Sequence, residues 1–232
     1  MEKDYIWSSQ ESLFGSKEVI GFGTKDFYIK EIDKKLSKDI IILNHYSKKV
    51  CNDATTHIHL GCFINNELLG VLQLGYAMNP KSCGSVVKDT EIDQYKELNR
   101  MWFSDKAKKN TESKAISYTI KYLRRKYPRV KWIQSFADER CGGLGIVYQA
   151  CNFNYFGEHK SLFWEFENEI FHNSRITNGK RNKKQELEDR GFKEKAVSFE
   201  LRQFRYIYFI DKREKKNCLL KEQPYPKHYN ND

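Results

Sequence analysis

The stretch NTESKAISYTIKYLRRKYPRVKWIQSFA, residues 110–137, predicts a helix that leads directly into a strand. Its apolar residues recur at helical spacing and form one stripe: Ile116, Ile120, Leu123 and Tyr127. Asn110 or Thr111 is suited to cap the helix, and Pro128 ends it. Residues 130–137 then form a β-rich run. The stretch therefore predicts an amphipathic helix packed on the sheet that contains the following strand.

The elements around this unit define the rest of the fold. Further strand-like runs lie at residues 27–32, 57–64, 68–77, 95–103, 161–167 and 200–210. Two of them, 57–64 and 68–77, are close enough to form a tight hairpin. Residues 35–50 and 145–153 predict two more helices, and residues 174–195 predict a loop or a marginal helix. A hairpin followed by a βαβαβ order predicts an α/β (α+β) fold, with a mixed, mostly antiparallel sheet flanked by helices.

Length and composition favour one globular domain. The 232 residues include 39% hydrophobic and 14% aromatic residues, enough to build a core. No apolar run approaches the ~20 residues that span a bilayer, so we expect no membrane association. The first ten residues lack the apolar stretch of a secretory signal, which predicts a cytoplasmic location. Six cysteines without paired spacing are expected to be reduced thiols.

The net charge of +10 is unevenly distributed along the chain. Residues 104–131 contain ten Lys or Arg against two Asp or Glu, and residues 175–221 contain fifteen against seven. The rest of the chain is therefore mildly acidic. Two separate basic concentrations indicate polyanionic partners, namely nucleic acid and a second, phosphate-bearing ligand, although solvated lysine-rich faces would give the same counts.

Three motifs resemble those of the Mom family of bacteriophage DNA-modification proteins. They are LNRMWFSD with NTESKAISY (98–105 and 110–118), WIQSFADERCG with VYQACNF (132–142 and 147–153), and RQFRYIYF (202–209). The resemblance extends over roughly residues 40–226. It implies a GNAT-like acyltransferase fold, which the element order also suits. It further implies that the protein adds a methylcarbamoyl or acetamido-type group to N6 of adenine in phage DNA and so blocks host restriction enzymes.

A GNAT-like fold places coenzyme A pyrophosphate at the start of the helix quoted above, where backbone N–H groups and the helix dipole attract anions. The Gln/Arg-x-x-Gly-x-Gly/Ala signature of that fold is absent here. In its place the sequence has ammonium, amide and hydroxyl groups suited to phosphate oxygens. We therefore predict an acetyl-CoA or related acyl-CoA site formed by Arg100, Lys106, Lys108, Lys109, Asn110, Thr111 and Ser113.

The predicted catalytic residues are Asp138, Tyr148, His45 and Ser117. Asp138 ends a strand, where α/β sheets place their sites, and could accept the N6 proton, read the adenine edge or cap the next helix. The GNAT resemblance gives Tyr148 the role of protonating the departing thiolate, although a core aromatic fits equally. The Mom resemblance adds His45, and Ser117 lies one helical turn after Ser113.

The glycines Gly142, Gly143 and Gly145 follow the strand that ends at Asp138. They lie one βα unit after the expected pyrophosphate site, so we predict that they shape a tight turn. The histidine spacing is not by itself enough to predict a metal site. The alternative is a non-haem iron site formed by His57, His59 and His45.

Basic residues near the carboxyl end are predicted to contact the DNA backbone. They are Arg175, Lys180, Arg181, Lys183, Lys184, Arg202, Arg205, Arg213, Lys215 and Lys216. Basic and aromatic residues alternate along 202–209, a pattern that suits phosphate contact plus stacking but also an ordinary sheet strand. Trp7, Trp102 and Trp132 are further stacking candidates for a flipped base.

The sequence thus predicts one domain over residues 1–232, with the basic segment 174–232 contributing DNA contacts. The expected partners are double-stranded DNA with a flipped adenine and an acyl-CoA-like small molecule, and the oligomeric state is left open. Two other functions fit the residues less fully. One is an acyltransferase for a small-molecule or protein amine, and the other is a non-catalytic DNA-binding protein.

Overall fold

The computed structural model describes residues 5–8, 18–49, 53–141, 143–173, 176 and 181–227. Backbone alone is described for residues 5–8, 141 and 181–184. The strands are β1 Tyr5–Ser8, β2 Val19–Gly23, β3 Phe27–Glu31, β4 Thr56–Ile64, β5 Glu67–Gly75, β6 Tyr95–Phe103, β7 Trp132–Asp138, β8 Asn154–Phe166, β9 Glu169–His172 and β10 Val197–Phe209. The α-helices are α1 Lys34–Asn44, α2 Thr111–Lys126, α3 Ile146–Ala150, α4 Arg181–Asp189 and α5 Phe192–Lys195. Short 3₁₀ helices lie at Pro80–Ser85, Ile92–Gln94, Glu139–Cys141 and Lys212–Asn217.

The ten described strands form one sheet in the order β1-β2-β3-β4-β5-β6-β7-β10-β8-β9. The β6–β7 pair is parallel, and every other neighbouring pair in this described sheet is antiparallel. Strand β10 lies between β7 and β8, so the basic carboxyl-terminal segment supplies an interior strand. The predicted mixed, mostly antiparallel sheet flanked by helices is confirmed.

Helix α2 forms as its stripe predicts. Ile116, Ile120 and Leu123 are buried against the sheet, and the helix ends two residues before Pro128. Helix α1 is shorter than the predicted 35–50, because its last residue is Asn44. The expectation that a side chain caps α2 is wrong. Asn110 occupies the N-cap position with a left-handed φ of 69°, and its side chain makes no capping hydrogen bond.

The sheet buries apolar side chains on both faces. Helices α2 and α3 cover one face, over a large core that includes Ile133, Phe204 and Tyr206. Helix α1 packs on the other face, against β4, β5 and β6. A smaller aromatic core, built around Tyr95 and Trp132, lies beside the amino-terminal ends of β6 and β7. The two faces are called the α2 face and the α1 face below.

Strands β6 and β7 pair over only three residues each, and the last pair is Glu97 with Gln134. Both strands continue beyond this pair, so a V-shaped gap opens between them. A β-bulge places one extra residue, Asn99, in β6 opposite β5. Because a bulge reverses the alternation of side chains, Arg100 joins Glu97 on the α1 face instead of pointing to the α2 face.

Candidate active site at the gap between β6 and β7

Asp138 lies on the α1 face at the end of β7 and is 7% exposed. Its carboxylate accepts hydrogen bonds from Arg140 Nε at 3.0 Å, from Arg140 Nη2 at 2.6 Å and from the Arg140 backbone N–H at 3.0 Å. Tyr46 Oη donates to the same carboxylate at 3.3 Å. Burial alone would raise the pKa of Asp138, but these hydrogen bonds and the Arg140 charge hold it below its usual value. The group is therefore an ionised acceptor at neutral pH.

His45 follows the last residue of α1 and is 7% exposed. Its ring lies against Tyr46, tilted by 35° at a centroid distance of 4.2 Å, and its Nδ1 lies 2.8 Å from Ser47 Oγ. Burial, reinforced by the charges of Arg100 and Arg140, lowers the pKa of His45 to about 4. A neutral imidazole thus lies beside the Asp138 carboxylate.

This shift predicts an acid-dependent loss of stability. The unfolded chain binds a proton at His45 near pH 6.5, whereas the folded chain does so only near pH 4. The free energy of unfolding should therefore fall as the pH drops from about 6.5 to 4, with His45 contributing roughly 2 kcal/mol between pH 7 and pH 5. Urea titrations of the wild type and His45→Gln at both pH values measure this difference. Equal pH dependence in the two proteins would contradict the prediction.

Tyr148 reaches the gap from the opposite, α2 face. Its hydroxyl lies 2.9 Å from Ser135 Oγ, which in turn lies 3.1 Å from the carbonyl oxygen of Leu98. Ser135 belongs to β7 and Leu98 to β6, just beyond their last pair. The Tyr148 ring packs on Phe153 and Tyr206, so the side chain is also part of the core. Asp138 and Ser135, the contact of Tyr148, both lie in β7 beyond its last pair with β6. The Asp138 carboxylate and the Tyr148 hydroxyl therefore lie along the same side of the gap, on opposite faces of the sheet.

A cavity of about 590 Å³, called the α2 cavity below, lies at the start of α2. Its lining includes five predicted cofactor residues and one predicted catalytic residue: Lys108, Lys109, Asn110, Thr111, Ser113 and Ser117. Thr111 Oγ1 donates to the Lys108 carbonyl oxygen and Ser113 Oγ to the Asn110 carbonyl oxygen. Lys121 and Arg124 extend the positive charge along the cavity wall. The positive end of a helix, with cations around it, makes this cavity suited to phosphate groups.

Three predicted residues lie elsewhere than their assigned roles suggest. Arg100 does not line this cavity, because the bulge turns it to the α1 face, where it donates to the carbonyl oxygens of Lys49 and Asn99. Lys106 is exposed and pairs with Glu67. Ser117 lines the phosphate-suited cavity rather than the Asp138 cluster. Arg100 therefore lies on the same face as Asp138, and Ser117 lies in the cavity at the start of α2.

Gly145 behaves as the turn prediction requires. It precedes α3 with a φ of +74°, and a Cβ atom there would lie 2.4 Å from the buried Tyr206 ring. Glycine is thus required both by the backbone conformation and by the close approach of the ring. Gly142 lies outside the described residues.

The histidines proposed for iron are not brought together. A bulge at His57 directs its ring onto Tyr76, whereas His59 contacts Ser37 of α1 and His45 contacts Ser47. Among the residues that the structure describes, no group of three or more His, Cys, Asp or Glu is arranged to hold a metal. These placements do not support the iron alternative.

The basic residues predicted to bind DNA lie in four different settings. Arg175 and Lys180, and the side chains of Arg181, Lys183 and Lys184, lie outside the described residues. Arg202 pairs with Glu139, Arg213 with Asp211 and Lys215 with Glu222. Arg205 is half-buried, with its guanidinium 4.9 Å from the Phe136 ring centre. Lys216 is exposed at the surface.

The predicted stacking aromatics are mostly core residues. Phe204 and Tyr206 are buried on the α2 face, so the stacking role proposed for the alternating run in β10 is wrong for them. Trp132 is fully buried and stacks on Tyr95. Trp102 is half-buried in β6, and the Trp7 side chain lies outside the described residues.

The sequence profile of the Mom protein family matches residues 26–227. The methylcarbamoylase mom of Escherichia phage Mu is 45% identical over 213 residues, which cover 90% of this chain and 88% of that protein. This chain belongs to the Mom protein family. The relationship also confirms the prediction that the protein is a transferase.

Among solved structures, acetyltransferases resemble this Mom-family protein more distantly. The ribosomal-protein-S5-alanine acetyltransferase of Vibrio fischeri has a TM-score of 0.49 and 10% identity, over 83% of this chain and 98% of that chain. An N-acetyltransferase of Staphylococcus aureus Mu50 has a TM-score of 0.45 and 11% identity, over 79% and 97% of the two chains. In the described part of this Mom-family chain, no helix is both long and apolar enough to cross a membrane.

Three residues of the candidate site in this Mom-family protein were not predicted from the sequence. Tyr46 and Arg140 both contact Asp138, and each adjoins a residue or motif already singled out. Glu97 accepts hydrogen bonds from Gln134 Nε2 at 2.7 Å and Asn99 Nδ2 at 3.1 Å at the apex of the gap, and burial raises its pKa. The sequence marked Glu97 only as a charged residue within a run that is otherwise typical of a strand.

Proposed function

We propose that this protein transfers a methylcarbamoyl-type group from an acyl-CoA-like donor to N6 of adenine in DNA, with the target base flipped out of the helix. The observation that carries the proposal is the arrangement at the β6–β7 gap. An ionised carboxylate approaches it from the α1 face, and a tyrosine hydroxyl approaches it from the α2 face. The high identity to a methylcarbamoylase supports the nature of the transferred group.

The donor side is the α2 face. The α2 cavity fits a pyrophosphate because it combines a helix start with lysine side chains. Strand β6 ends at Phe103, a few residues before this cavity, so one strand connects the cavity to the gap. When bound there, a thioester supplies an activated carbonyl. Tyr148 Oη lies at the gap on this side, placed to give its proton to the departing thiolate.

The acceptor side is the α1 face. The N6 amine of adenine is a poor nucleophile because its lone pair is delocalised into the ring, so a base must take its proton as the new bond forms. Asp138 is held ionised and can accept that proton while the N6–carbonyl carbon bond forms and the carbon–sulfur bond breaks. His45 stays neutral and packs against Tyr46, so it positions the ring that contacts Asp138.

Nucleoside mass spectrometry of DNA from expressing cells tests this proposal. Deoxyadenosine heavier by one methylcarbamoyl group is the expected product. Unmodified DNA together with an acylated small molecule or protein would instead favour the small-molecule or protein amine as substrate. Unmodified DNA with tight, saturable DNA binding would favour a non-catalytic DNA-binding protein. Either result would overturn the proposal.

DNA binding should depend strongly on salt. If the basic surface neutralises about five phosphates, log K should fall with log salt concentration at a slope of roughly −4 to −5. Lys216→Gln should reduce that slope by about 1, since Lys216 is exposed, whereas Lys215→Gln should change it less because Lys215 already pairs with Glu222 at 2.7 Å. Fluorescence anisotropy with duplex DNA over a salt series measures both. A flat salt response would contradict the proposed backbone contacts.

A further inference from the structure

The Arg140 guanidinium lies between two aromatic rings at the Asp138 site. Its central carbon is 5.1 Å from the Tyr46 ring centre and 4.7 Å from the Phe163 ring centre. Aromatic pairs stack with their centres 4.5–7 Å apart, so a planar ring centred on this position would be within stacking distance of both neighbours. Each of the two rings also packs against a histidine: His45 lies tilted against Tyr46, and His172 is perpendicular to Phe163.

The hydrogen bonds of this guanidinium also match those of an exocyclic amine. Arg140 Nε and Nη2 both donate to the Asp138 carboxylate, at 3.0 and 2.6 Å. The amino group of adenine is likewise an N–H donor on the edge of a planar ring. A purine in the place of the guanidinium would therefore present the same kind of donor to the same carboxylate.

Arg140 is more exposed than the carboxylate and the Phe163 ring that it covers. Its side chain is 24% exposed, whereas Asp138 is 7% and Phe163 only 3% exposed. Rotation of the arginine side chain towards solvent would uncover both residues without a change in the sheet. A guanidinium released at the surface is also well suited to bind a DNA phosphate.

We propose that Tyr46 and Phe163 are the two walls of an adenine-binding slot, and that Arg140 fills this slot until a flipped base displaces it. The inference rests on the proposed function, since it requires DNA adenine to be the acceptor. It assigns base stacking to the two aromatic residues that contact Arg140, one following α1 and one in β8. Arg140 is then a positioning residue that keeps Asp138 ionised and Phe163 covered in the free protein.

Binding to two single-stranded oligonucleotides of equal length tests the slot. One consists of deoxyadenosines and the other has an abasic backbone, so the ratio of their affinities isolates the contribution of the base. Stacking against one aromatic wall predicts that Phe163→Leu lowers this ratio about tenfold. The control is Phe199→Leu, because Phe199 stacks on Phe163 but does not contact Arg140 in the described contacts, and its ratio should stay within twofold.

Variants of Tyr46 and Arg140 keep the test decisive if Phe163→Leu folds poorly. Tyr46 is 49% exposed, so Tyr46→Ala should fold and lower the ratio about tenfold, whereas Tyr46→Phe should keep it. Arg140→Ala should keep or raise the ratio, since it empties the slot. Equal ratios for Phe163→Leu and Phe199→Leu, or a ratio lost in Arg140→Ala, would overturn the proposal. Unmodified DNA from wild-type cells would instead count against the proposed function.

Discussion

Replacing Asp138 with asparagine is expected to slow adenine modification about 10²–10⁴-fold, the usual contribution of a general base. Asparagine keeps the size of the side chain and one acceptor oxygen, but it can neither take the N6 proton nor carry the charge that Arg140 neutralises. DNA affinity should not fall, because the substitution removes a negative charge. The measurement is the initial rate at which modified deoxyadenosine accumulates after induction, together with duplex binding by the purified variant.

Glu139→Gln is the matched control for this substitution. Glu139 is the adjacent acid, but it contacts Arg202 and not Arg140. Loss of a surface ion pair is worth at most about 1 kcal/mol, so the rate should change less than about fivefold. Equal rates for Asp138→Asn and the wild type would show that another group takes the proton.

Replacing Gly145 with alanine is expected to destabilise the fold by roughly 3 kcal/mol or more, through a positive φ combined with overpacking. The φ of +74° is unfavourable for alanine, and the new methyl group would lie 2.4 Å from the Tyr206 ring. Tyr206 is fully buried beside Tyr148, so the ring cannot move without disturbing the core. Thermal unfolding by circular dichroism measures the effect.

Gly84→Ala is the control, because a Cβ at Gly84 meets no atom within 4 Å. Its melting temperature should stay within about 2 °C of the wild type, since surface substitutions away from such features change stability little. A Gly145→Ala protein as stable as Gly84→Ala would show that the turn relaxes easily. In that case the close approach of Gly145 to the Tyr206 ring would not be needed to keep Tyr148 in position at the gap.

The strands and helices near the middle of the chain were predictable because their patterns are local. The stripe in α2 follows the helical repeat, and the hairpin of β4 and β5 and the run that forms β6 are continuous β-rich runs. The sequence did not reveal β1 or β2, nor that β10 lies between β7 and β8, because strand order depends on long-range pairing. The bulge at Asn99 was equally hidden, since one extra residue leaves no compositional mark.

The site was predictable where it depends on position along a strand or helix. Asp138 at the end of β7 and the polar start of α2 are of this kind. The side on which Arg100 lies was not predictable, because the bulge reverses it. The contacts of Arg140 with Tyr46 and with Phe163 join different segments of the chain, the first of them nearly a hundred residues away, and no spacing in the sequence encodes them. Packing, rather than pattern, therefore assembles the acceptor side.

Tandem mass spectrometry of the modified nucleoside tests the central claim most directly. DNA from cells that express the wild type, Asp138→Asn or Glu139→Gln is digested to nucleosides, and the fragments locate the added group. The account predicts a methylcarbamoyl group on the exocyclic N6 of adenine in the wild type and Glu139→Gln, and its near absence in Asp138→Asn. A group on the sugar or on another base, or equal modification in all three cultures, would contradict it.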